Sequence, residues 1–330
     1  MAEDHKFDLC SKFTAEYQGL SCANSKLFSV SKAFIRNMNR VRGIGMLPIN
    51  LLSVGIVNEA ARVEALFNNK SNPNDPRITL NHPQFDSVLF ERVDKDRKRL
   101  IEEWTKSYPT KEDFAAAVSA KATYGMNAII DGNSKEAGEA VQATMAAMLI
   151  GIWTAFESLA QDTWIAAVNA RPDPLATRIL KRNADLGTGL QLKSIPSDQI
   201  IGHSFDLRNS MGTVLFRQRA VDFQQLKNIR VAYKVAFADA FETIFEQYQQ
   251  ELFWLEAERN LFVHKGGLID QKFVERMGNK PLMKKTIGRS LTVHGQHVAN
   301  KANVVSRCST ELIQAVDKWL METAESTLDA

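Results

Sequence analysis

The sequence predicts an all-α protein, and three observations carry that prediction. Apolar residues recur every three or four positions over most of the chain. The two-residue alternation of a half-buried strand is nearly absent. Turn-forming clusters divide the periodic stretches into helix-sized lengths. Positions three and four apart share one face of a helix, so such spacing paints an apolar stripe for a core. No internal repeat, low-complexity tract or heptad array interrupts the pattern.

The elements follow in order. Residues 1–45 carry Lys26, Lys32, Arg36, Arg40 and Arg42 on a weakly amphipathic stretch, read as a solvated basic helix face or as a phosphate-contacting one. Leu47 to Phe67 has helical spacing, and Asn68 to Pro83 is rich in breakers. Gln84 to Ser107 fits a helix with Phe85, Val88, Leu89, Val93, Leu100, Ile101 and Trp104 inward. Tyr108-Pro109 stops it, and Thr110, with Asp113 three residues on, caps a helix running to about Ile130. Asp131-Gly-Asn-Ser134 is a turn and the expected domain boundary, separating an N-terminal helical region (1–132) from a helical domain (133–330).

Ser134 caps the longest helix, whose stripe is Val141, Met145, Met148, Ile152, Phe156 and Leu159. Arg171-Pro-Asp-Pro174 ends it, and Arg178, Lys181, Arg182 and Lys193 then flank a glycine-containing loop. Short helical pieces are expected near Ile200 and within Phe205–Phe216. A helix from about Asn228 to His264 carries Val231, Val235, Phe241, Phe245, Tyr248, Leu252 and Leu255, with a break near Asp239 or Gln247. Leu268 to Met277 reads as a short helical turn, Ser290 to Val293 as the one place for a strand or hairpin, and Val298 to Thr323 as the last helix.

The 330 residues are 45% hydrophobic and 24% charged, the make-up of an ordinary globular chain. A net charge of +3 excludes a polybasic coat, so a nucleic-acid site would have to come from local clustering. The three cysteines lack metal-ligand spacing and point to a reducing, cytoplasmic compartment. The first residues are not those of a signal peptide. The richest apolar run, Met145 to Phe156, is too short to span a bilayer, so no membrane partner is expected.

One stretch carries chemistry: Glu256-Ala-Glu-Arg259-Asn260-Leu-Phe-Val-His264-Lys-Gly-Gly-Leu-Ile-Asp270. On a helix, Asn260 and His264 lie one turn apart on one face, with Arg259 beside them. Arg offers a permanent cation whose planar fork fits phosphate oxygens. His exchanges a proton near neutral pH, and Asn donates a hydrogen bond without charge. A satisfied cap and a surface imidazole are the plain alternative for such a group. Just downstream, no acidic residue occurs between Glu275 and Glu311, while Arg276, Lys280, Lys284, Lys285, Arg289, Lys301 and Arg307 do. That segment is either a polyanion-holding surface or a solvated basic loop. The chain has no His-Glu-x-x-His, cysteine cluster, Gly-x-Ser-x-Gly or Walker loop, so neither metal nor cofactor is expected.

This stretch, with the upstream Trp153-Thr-Ala-Phe156-Glu157-Ser-Leu on a long helix, resembles the signature of the HEPN superfamily over roughly residues 134–323. The resemblance implies a helical bundle of HEPN type, with the N-terminal helical region as an addition. It implies a metal-independent endoribonuclease of phage defence or toxin–antitoxin stress response, acting as a homodimer in which two motif copies face each other. The family's Arg, polar residue and His fall on Arg259, Asn260 and His264, and the helical glutamate of such domains corresponds to Glu157. Arg276, Lys280, Lys284, Lys285 and Arg289 would then hold RNA. An antitoxin or sensor protein is a possible further partner, although the position where some members carry a nucleotidylated Tyr is Gly266 here. The alternative is a non-catalytic HEPN-like module that binds RNA or a nucleotide, or dimerises, through the same residues.

Overall fold

The structure is a computed structural model that describes residues 22, 25–131, 135–185, 197–204, 206–207, 209–218, 221–278 and 286–325. The fold is all-α. Among the described residues the helices are α1 (Ser25–Asn68), α2 (Ser87–Lys106), α3 (Lys111–Asp131), α4 (Lys135–Ala170), α5 (Pro172–Asp185), α6 (Ser197–Gly202), α7 (Met211–Arg217), α8 (Leu226–Phe237), α9 (Glu242–Lys265), α10 (Gln271–Arg276) and α11 (Gly295–Glu325). A 3₁₀ turn covers Pro76–Ile78. The anticipated strand at Ser290 is reduced to a single antiparallel bridge to Leu268.

The chain divides into two compact units. One is Gly45–Val141, and the other joins the described residues up to Ile44 to those from Gln142 onward. In the first unit, Ala61, Ala65 and Leu66 of α1 meet Leu89, Val93 and Leu100 of α2, with Trp104 packed alongside. Asp86 caps α2 by accepting from the Val88 and Leu89 amides. Thr110 and Asp113 bond reciprocally, each holding the other's amide at about 3 Å, which satisfies donors that a helix start leaves open. Val88, expected inward, is 63% exposed, because Leu89 takes the core-facing position one step round the helix.

In the second unit α4 is buried around most of its circumference, from Met145 through Val168. The first half of α1 packs on it at Gly151, where a Cβ would come within 2.7 Å of Val41. Asn169 near the end of α4 starts α7, its Oδ1 accepting from the Gly212 amide at 2.7 Å. α8 is pinned to α4 by the Trp164 indole N–H on Ala232 O and the Tyr233 hydroxyl on Ala160 O. The predicted break near Asp239 separates α8 from α9. There Tyr233, Phe237, Phe241 and Phe245 stack edge to face with centroids 4.9–6.1 Å apart. α9 then packs against α11.

Arg178, Lys181 and Arg182 lie in α5, which opens on Pro172, a residue suited to a first helical turn; the glycine-containing loop they were expected to flank, with Lys193, lies outside the described residues. Two expectations need correction. α1 begins well before Leu47 and runs through Pro48 unbroken. Helices long and apolar enough to cross a membrane by length and composition do occur: α1 and α4 each contain such an 18-residue window, of which 17% and 50% respectively is buried. Ala, Gly and Thr within α1 and α4 lengthen their apolar stretches to such windows, as they also do in the core helices of soluble proteins.

Candidate functional site

The site is built on the last turns of α9. Leu252, Leu255 and Leu261 anchor this end of the helix in the core. Gly266 ends it in the left-handed conformation at φ 59°, its amide returning to Leu261 O, the turn geometry that glycine takes without penalty. Gly267 follows at φ 85° and lies so close to the Phe262 ring that a Cβ would meet it at 2.9 Å. The chain is then fastened by two hydrogen bonds, Ile269 N–H to Arg289 O (3.0 Å) and Leu291 N–H to Gly267 O (2.9 Å). Asp270 caps α10 through the Phe273 amide. This reversal brings α10 back across the end of α9, and Phe273 and Val274 join Ala257 and Leu261 in a small core beneath the turn.

The reversal encloses a cleft of about 350 Å³ whose walls include Arg259, Asn260, His264, Lys265, Lys272 and Arg276. Four of the predicted residues therefore meet in one place: Arg259, Asn260, His264 and Arg276. Four permanent cations line this cleft against one carboxylate, Asp270, so it favours an anionic occupant. His264 is exposed in the last turn of α9. Arg259 donates from Nη1 to Asn260 Oδ1 at 2.9 Å, so Asn260 fixes the guanidinium. The Arg259 Nε–H is buried and has no hydrogen-bond partner among the described residues, which carries a desolvation cost.

Glu157 does not line the cleft. It is half-buried on α4, and burial pushes its carboxyl above the ordinary range, with the nearby Asp222 and Glu256 adding to the rise. The Arg259 charge and the Trp153 indole pull the other way. Glu157 and Arg259 therefore feel each other electrostatically.

The basic segment is less uncompensated than its sequence implies. Arg276 pairs with Glu256 of α9 at 3.2 Å, and Lys301 is buried with its ammonium 2.7 Å from Glu251. Arg289 is exposed and outside the cleft wall. Lys280, Lys284 and Lys285 lie outside the described residues.

Two residues of weight were missed. Glu256 is 2% exposed, accepting from the Leu226 amide at the start of α8 (3.0 Å) as well as from Arg276. Glu258 is also buried and meets His297 Nε2 with both oxygens at 3.0 Å. A signal for Glu256 existed: it stands four residues after Leu252 and eight after Tyr248, on the core stripe itself. Among the described residues no three His, Cys, Asp or Glu side chains gather into a group able to hold a metal ion. No protein-family model, curated protein or solved structure matches this chain.

Proposed function

We propose that this protein is an endoribonuclease of HEPN type that cuts RNA through the RNA's own 2′-hydroxyl, without a metal ion. The observation that carries the reading is the convergence of Arg259, Asn260, His264 and Arg276 on one cationic cleft at the end of α9. Arg259, oriented by Asn260, holds the scissile phosphate and offsets the charge that grows as the 2′-oxygen attacks phosphorus. One imidazole takes the 2′-hydroxyl proton and one gives a proton to the departing 5′-oxygen. A homodimer supplies both imidazoles from two copies of His264. The bond formed is 2′-O to phosphorus and the bond broken is phosphorus to 5′-O. The products end in a 2′,3′-cyclic phosphate and a 5′-hydroxyl. An effector role in phage defence or toxin–antitoxin stress response belongs to the same proposal.

The test is RNA cleavage by His264→Ala and Arg259→Ala. Loss of the proton-transfer group should lower the rate about 10²–10⁴-fold. Full activity in either variant overturns the proposal, and RNA binding without products in the native protein assigns the cleft to binding alone.

A further inference from the structure

A second cleft, of about 460 Å³, shares Gln225 and Arg276 with the first. Its wall on α8 presents Lys227, Arg230 and Lys234 at helical spacing, and its wall on α9 presents Gln249, Phe253 and the carboxylates Glu242 and Glu256. Val231, exposed although it fell on the expected core stripe, lines the same wall. The charges in it are not equally engaged. Arg230 is tied to Glu242 and donates to Gln249 Oε1, and Lys234 sits 3.1 Å from the exposed Asp239. Lys227 is exposed and has no ion-pair partner among the described residues. Arg276, fixed by buried Glu256, lies over the Phe253 ring at 5.6 Å from its centroid.

A row of cations beside an aromatic ring is how proteins follow a single nucleic-acid strand. The cations track the backbone, and the ring stacks a base of any sequence. A base inside a duplex is already stacked and cannot reach such a ring. The cation common to both clefts places the second one a short step from the phosphate that Arg259 would hold. We infer that the second cleft seats the nucleotide next to the scissile bond of a single-stranded RNA, with its phosphate on Lys227 and Lys234 and its base against the Arg276 guanidinium and the Phe253 ring beneath it. This rests on the ribonuclease reading, and it makes the substrate an unpaired strand rather than a duplex.

The experiment uses the full chain with Lys227→Gln/Lys234→Gln and, separately, Phe253→Leu, each checked for native helical content by circular dichroism. Binding of a fluorescent 2′-O-methyl RNA octamer, which lacks the attacking hydroxyl, is followed by anisotropy against salt. In parallel, kcat/KM is compared for an unmodified octamer and a dinucleotide. Phe253→Leu should weaken octamer binding about tenfold, and the double variant should lower the log–log salt slope by about one. In both variants the octamer should lose its advantage in kcat/KM over the dinucleotide. Octamer binding and salt slope equal to the native protein's in both variants overturn the inference, even if the native protein cuts RNA. If the native protein cuts nothing yet the variants bind the octamer less well, the groove stands and the nuclease reading falls. A native protein that neither cuts nor binds the octamer overturns both.

Discussion

Removing the Glu256 carboxylate tests whether the cleft is held in shape from beneath. Glu256→Ala strips the Leu226 amide of its acceptor and leaves Arg276 without its counter-charge. Breaking a buried ion pair from one side costs about 3–5 kcal/mol. Arg276 is 27% exposed and water can reach it, which favours the lower end. The orphaned amide at the start of α8 adds about 1 kcal/mol. Glu256→Ala should therefore destabilise by about 4 kcal/mol. Glu256→Gln keeps the volume and an acceptor for Leu226, and should cost about 1–2 kcal/mol. The assay is urea unfolding followed by tryptophan fluorescence. Four of the five tryptophans, Trp153, Trp164, Trp254 and Trp319, lie in the unit that contains Glu256, so the signal reports that unit. With m of about 3 kcal/mol per molar, the Ala variant's midpoint should fall by about 1.3 M. A fall of less than about 0.2 M would refute the idea that Glu256 joins α8 to Arg276.

Glu157→Gln should change how stability depends on pH. The folded protein keeps the Glu157 proton where the unfolded chain, with a carboxylate near 4.3, has already lost it. Between those two values the native state binds more protons, so stability falls as pH rises, and the stabilisation is complete only below the unfolded value. The Gln variant should match the native protein's pH dependence at acid pH and exceed its stability at pH 7–8, as read from urea midpoints across pH. Gly267→Ala should cost about 1–2 kcal/mol, since it forces a Cβ onto φ 85° and against Phe262; thermal melting checks this.

The end of α9 was legible because its signals are local. A run of core leucines, a Gly-Gly pair that takes positive φ without penalty, and Asp270 as a cap lie within twenty residues of each other. The meeting of Arg259, Asn260 and His264 needs only helical geometry. Arg276 was legible as a cation, but its pairing with Glu256 depends on the return of α10 across α9. Lys301 looked like part of an open basic surface for the same reason: its partner Glu251 stands fifty residues away in the chain. The corner between α8 and α9 has neither Gly nor Pro. Ala238 takes φ 57° there, in surroundings set by four aromatic rings. Conversely, α1 continues through Gly43, Gly45 and Pro48, residue types that disfavour a helix interior. Its first half is held by packing such as Val41 on Gly151.

The central claim is that a guanidinium and an imidazole at the end of α9 suffice to cut RNA. Its most direct test is to incubate the purified protein with single-stranded RNA in excess EDTA and to identify the ends of the fragments. The account predicts cleavage that survives the chelator, with 2′,3′-cyclic phosphate and 5′-hydroxyl ends, and that is lost in His264→Ala. Intact RNA, or fragments ending in 3′-hydroxyl and 5′-phosphate, would contradict it.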